Sequence, residues 1–121
     1  IRRLSDGIEE IHMQGMNCGL VDERGEIAAC YKGVPQNDVG LRTDVIENVD
    51  KYSGIHMLIR TMAPEIIACD EIGSKEDVKA IQYALFSGVK GIFTMHGKNV
   101  EDIKNNEEVY KLVEQLKLYL E

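Results

Sequence analysis

The sequence has no tryptophan, only two prolines and two phenylalanines, and just three cysteines, Cys18, Cys30 and Cys69, in 121 residues. An odd number of cysteines without a CxxC spacing provides neither a disulfide framework nor a zinc pattern. All three fall in or beside apolar runs, where a reduced thiol behaves as a small hydrophobe, so a reducing compartment is expected. No apolar run approaches the roughly 18 to 20 residues that span a bilayer. Basic side chains are outnumbered, 14 against 21 acidic ones. They are also scattered, which leaves no electrostatic footprint for nucleic acid.

What remains is ordinary for a soluble cytoplasmic domain, with 44% apolar and 29% charged residues. The length suits one domain with a real core and is short for two. Ile1, Leu4, Ile8 and Ile11 recur with helical spacing, so the chain is expected to open inside a helix and to have been cut from something longer. Cys18 to Asp22 is short, apolar and followed by charge, as in a buried strand that ends in a polar loop. Residues 25 to 45 are rich in glycine, proline and asparagine, and predict a long connection with one small strand near Ile27 to Tyr31. Tyr52, Ile55, Ile59 and Met62 predict a helix stopped by Pro64.

The clearest strand is Ile66 to Cys69. Ser74 with Asp77 offers a capping box for a helix with Val78, Ile81 and Leu85 inside and Gly88 as its stop. A third strand is expected over Val89 to Met95. Asn106 then caps a last helix, with Val109, Leu112, Val113, Leu116 and Leu120 as an apolar stripe against Glu107, Lys111, Glu114, Gln115 and Lys117. Strands near 17–23, 65–70 and 89–95 alternating with helices predict an α/β fold with a parallel sheet covered on both faces. Function is then expected at the carboxyl ends of the strands.

Two of those ends carry acidic pairs, Asp22-Glu23 and Asp70-Glu71. An apolar strand that delivers Asp and then Glu suits nucleotide hydrolysis, since the aspartate can hold a magnesium ion and the glutamate can orient or deprotonate water. Such residues also serve merely to solubilise a loop or to face the next helix N-terminus. The third strand adds Thr94 and His96 at the same edge, a hydroxyl and an imidazole able to meet a terminal phosphate. His12 and His56 lie on predicted helix faces without metal-ligand spacing.

The order strand-Asp-Glu, long loop, helix, strand-Asp-Glu-Ile-Gly, helix, strand-Thr-x-His-Gly resembles the additional-strand class of P-loop ATPases. More narrowly, VDERGEIAACYKGVPQNDVGLRTDV together with IIACDEIG and TMHG is similar to the stage III sporulation protein AA family, a relative of secretion ATPases. The resemblance implies a three-layer RecA-like core that uses ATP and Mg2+. It implies that Asp70 orients the metal, that Glu71 activates water with Glu23 assisting, and that Asp22, Arg42, Thr94 and His96 serve the nucleotide. Arg42 would act as an arginine finger toward a neighbouring subunit, with Arg24 and Arg60 as alternatives. It further implies a homo-oligomer such as a hexameric ring, coupled to a secretion-like membrane complex.

The sequence departs from that pattern in one large respect: it contains no GxxxxGK[ST], the loop whose backbone amides and lysine cradle the phosphates. Residues 1–121 are therefore expected to form the C-terminal part of an ATPase domain, starting within the helix after the phosphate loop, and to be inactive alone. The spatial order of its strands is expected to be third, second, first, leaving the third strand with an edge to be covered by oligomerisation or by the terminal helix. One alternative is a non-catalytic regulatory or scaffold module whose acidic edge binds a divalent cation or a protein. Another, a receiver-like phosphotransfer domain using Asp22 and Asp70, needs a lysine at a strand end, and Lys90 opens its strand instead.

Overall fold

The structure, a computed structural model, describes residues 1–99, 101–102, 105–107 and 109–112. Helix α1 (Arg2–Asp6) leads into a small hairpin of β1 (Gly7–Ile8) and β2 (Met13–Gln14) around a single 3-10 turn at Glu9–Ile11. There follow β3 (Cys18–Asp22), β4 (Thr43–Glu47), α2 (Lys51–Thr61), β5 (Ile66–Cys69), α3 (Lys75–Phe86) and β6 (Lys90–Phe93). The last four strands form one sheet in the order β4-β3-β5-β6, and every pairing in it is parallel. The expected order of the three read strands is the observed one.

Two expectations fail near the amino end. The opening helix stops at Asp6, because Gly7 takes φ +93 and pairs across the hairpin with Gln14. A Cβ at Gly7 would sit 2.6 Å from the Met13 carbonyl oxygen, so only glycine fits that crossing. His12 consequently lies in a left-handed turn and not on a helix. The interval Ile27 to Tyr31 forms no strand beyond one bridge between Tyr31 and Val34. The additional strand is β4, further along, at the outer side of β3.

The later elements follow the sequence more closely. Asp50 caps α2 by accepting the Ser53 amide, and the helix ends ahead of Pro64. Its inner face is Lys51, Gly54, Ile55 and Leu58, one position off the stripe of Tyr52, Ile59 and Met62, so Tyr52 and Met62 reach solvent. The Ser74–Asp77 capping box at α3 is present in full, and Gly88 follows the helix end with φ +81. Strand β6 is shorter than the expected span, and among the described residues it forms one edge of the sheet.

One core cluster packs α2 and α3 onto Val21, Ile67 and Cys69 of the sheet. The opposite face is covered by Ile1 and by loop residues Ile27, Ala28, Cys30 and Val39, which lie over Leu20 and Ala68. Asn106 accepts the Val109 amide at 3.4 Å, and Val109 and Leu112 are buried, as the last stripe requires. Val113, Leu116 and Leu120, with Glu114, Gln115 and Lys117, lie outside the described residues. No described helix is long and apolar enough to cross a membrane.

Candidate functional site

Parallel register decides which side chains meet. Val21 pairs with Cys69 and Cys69 with Phe93, so the residues that follow, Asp22, Asp70 and Thr94, leave the sheet side by side at its carboxyl edge. The two acidic pairs and the Thr-x-His segment therefore share one rim.

Asp22 is 0% exposed. Its two carboxylate oxygens accept the backbone amides of Glu26 at 3.0 Å, Ile27 at 3.2 Å and Ala28 at 2.9 Å. A buried carboxylate needs such donors to offset its lost hydration. The Asp22 carboxylate thus folds the loop after β3 into a closed turn. Glu23, next in line, takes the ammonium of Lys51, a residue only 5% exposed at the start of α2. Burial pushes the Lys51 ammonium toward lower pKa, but the hydrogen bond and charge of Glu23, helped by Asp77 and Cys69, outweigh it and raise the value.

Glu71 is constrained at both its backbone and its side chain. Its backbone sits at φ +47, a left-handed conformation that costs a non-glycine residue about 1 kcal/mol. The Glu71 amide donates to Thr94 Oγ1 at 3.0 Å, and the Ile72 amide to the Thr94 carbonyl at 2.9 Å. Its carboxylate touches the Arg24 guanidinium through one oxygen and His96 Nε2, at 3.2 Å, through the other. Glu26, Asp70 and Glu71 each bring a carboxylate oxygen within 4.8 Å of the others. Three carboxylate oxygens gathered in this way are donors of the hard type that a divalent cation takes.

The family model for sporulation stage III, protein AA matches residues 1–120. The chain belongs to the sporulation stage III protein AA family. It is 40% identical over 104 residues to the stage III sporulation protein AA of Bacillus subtilis (strain 168), an alignment that takes in 86% of this chain and 34% of that protein. The chain thus spans about a third of the length of this curated relative. Among solved structures it is similar to the ATPase DotB of Legionella pneumophila, with a TM-score of 0.56 over 84% of this chain and 30% of that one, at 14% identity. The likeness is one of fold, and it gives this family member an α/β, RecA-like core.

Within that core, Glu71, Asp70, Thr94, His96, Glu23 and Asp22 come together, whereas Arg42 does not. Arg42 precedes β4 and its carbonyl accepts the Cys18 amide, which places it at the amino edge of the sheet. There its own amide donates to Ser5 Oγ at 2.6 Å and its guanidinium to the Ser5 carbonyl at 3.4 Å. A cleft of about 750 Å³ opens at that edge, lined by Asp6, Asn17, Arg42 and Glu65 among others. It is mixed in charge and lies at the opposite end of the strands from the rim where the two acidic pairs, Thr94 and His96 gather. Of the other arginines, Arg24 and not Arg60 reaches the rim.

Sequence reasoning missed Glu26 and Lys51 in this family member. Glu26 stands four residues beyond its strand, and nothing in GEIAAC indicates that the Asp22 turn returns it to Asp70. Lys51 reads as an ordinary polar residue at a helix start. Its position directly after the Asp50 cap was the available signal, because that end of α2 faces the carboxyl edge of a parallel sheet.

Proposed function

We propose that this chain carries the strand-edge half of an ATP-hydrolysing site in a sporulation-associated motor ATPase. The observation that supports it most is the constraint on Glu71, a carboxylate held in a left-handed strand tip between Thr94 and His96, beside Asp70 and Glu26. A left-handed backbone at a strand tip is one way for a site to present a group in one orientation, and Glu71 shares it with Asn48 at the end of β4.

In this reading Asp70 and Glu26 hold a magnesium ion, which when bound supplies positive charge against the phosphates. Glu71 orients the attacking water and accepts its proton. Thr94 fixes the Glu71 backbone, and His96, which is largely exposed, faces the terminal phosphate. Glu23 supports the rim through Lys51, and Asp22 acts by shaping the loop. In this reading the phosphate loop is supplied by a segment other than residues 1–121, and Arg42, at the far edge, serves a neighbouring subunit's nucleotide in a homo-oligomer. The assembly couples turnover to a secretion-like complex.

The test uses the full-length protein. Glu71→Gln is expected to keep ATP binding while turnover falls about a hundredfold or more, the scale of a lost general base. Turnover within a few-fold of wild type would remove Glu71 from this role.

A further inference from the structure

Each strand-end glutamate has its own cation, and the two cations are placed differently. Lys51, which takes Glu23, is buried at the start of a core helix. Arg24, which takes Glu71, is 55% exposed and stands in a loop. The loop nevertheless has a fixed base. Asp22 binds the amides of residues 26, 27 and 28, and the Gly25 amide returns to the Asp22 carbonyl at 3.3 Å. From this closed turn the neighbouring side chains of Glu23 and Arg24 reach different elements, one to α2 and the other to the tip of β5.

Glu71 is fixed from its own side as well, through Thr94 at the backbone and His96 at one carboxylate oxygen. The remaining oxygen is held by Arg24. The guanidinium stays charged at every working pH, so this oxygen is paired with a cation that cannot lose its proton. Its charge also offsets the mutual repulsion of Glu26, Asp70 and Glu71, whose oxygens crowd within 4.8 Å.

The geometry points to Arg24 as the positioning residue for Glu71, acting within the same chain, so that the carboxylate is held where it can orient water. This assignment rests on the hydrolysis reading above, and it makes the arginine of VDERGE, next to the acidic pair, part of the machinery without placing it on the nucleotide. Arg24 acts through Glu71. Its loss therefore affects turnover more than substrate binding, and has little left to affect once Glu71 is gone.

The experiment compares Arg24→Gln, Arg24→Lys, Glu71→Gln and the Arg24→Gln/Glu71→Gln double variant in the full-length protein. Arg24→Gln is expected to lower kcat about tenfold or more with KM within about twofold, since misplacing a catalytic group acts on the chemical step. Arg24→Lys recovers part of the rate, and in the Glu71→Gln background the arginine change costs less than about twofold. A readout without nucleotide accompanies this. In NMR spectra the His96 ring signals, assigned through His96→Gln, move in Arg24→Gln while those of His12 and His56 stay. Unmoved His96 signals, additive losses, or normal kcat in Arg24→Gln beside an inactive Glu71→Gln overturn the assignment alone. Normal kcat in Glu71→Gln overturns the hydrolysis role of Glu71 and this assignment with it.

Discussion

The Ala28 amide donates to Asp22 Oδ2 at 2.9 Å, joining two fully buried residues six positions apart and closing the loop that carries Arg24 and Glu26. Removing the carboxylate leaves the buried Ala28 amide without an acceptor and turns the partly exposed amides of residues 26 and 27 toward water. Hydrogen bonds to a charged group contribute about 1.5 to 3 kcal/mol, and orphaned buried donors cost a similar amount. Asp22→Ala is therefore expected to destabilise the fold by about 3 kcal/mol in urea unfolding, and Asp22→Asn, which keeps one acceptor oxygen, by about half of that. A loss under about 0.5 kcal/mol for Asp22→Ala would mean that the loop is held by something else.

The Glu23–Lys51 pair is asymmetric, with the lysine side chain 6% exposed and the glutamate 36%. Removing the exposed partner strands a buried charge, whereas removing the buried one leaves a carboxylate that can turn to water. Glu23→Gln should thus cost about 2 kcal/mol, and Lys51→Met about 1 kcal/mol or less. The Lys51 pKa is raised in the folded chain. Its contribution is then fully present below the unfolded lysine value of about 10.4, and is lost as pH rises through the folded value. Denaturation midpoints followed up the alkaline limb should fall more steeply for wild type than for Glu23→Gln.

Burial pushes the Cys69 thiol up to about 12, and it raises Cys18 as well. Cys30 is only half-buried, and there burial and the neighbouring Glu47 also push the thiol up. Since the thiolate is the reactive form, alkylation of the native chain at pH 8 should be slow at all three sites, with Cys30 first and Cys69 last. Three thiols should react after unfolding. Rapid native labelling at Cys69 would contradict its place under α2 and α3.

Strand β5 and the Ser74–Asp77 box were legible because each is a local signal, four consecutive apolar residues in one case and a capping pair at fixed spacing in the other. The shared rim followed from topology alone, since parallel strands present their carboxyl ends on one side. Strand β4 was not legible. Among the described residues Thr43 to Glu47 is an edge strand on β3, with partly exposed residues and a polar Asp44, so it lacks the apolar run that marks a central strand. The opening helix misled in the opposite direction. Ile8 and Ile11 keep helical spacing, yet Gly7 turns the chain into a hairpin that a period of 3.6 does not register. Arg42 could be read as a site residue but not located, because its position depends on β4.

Gly54 lies on the inner face of α2, and a Cβ there would come 2.7 Å from Val21 Cγ1. The helix backbone accordingly rests directly on the Val21 side chain, one residue before Asp22, with no side chain of the helix's own between. Packing that close leaves no slack between α2 and the tip of β3, and the buried lysine at the helix start ties Glu23 to the same helix.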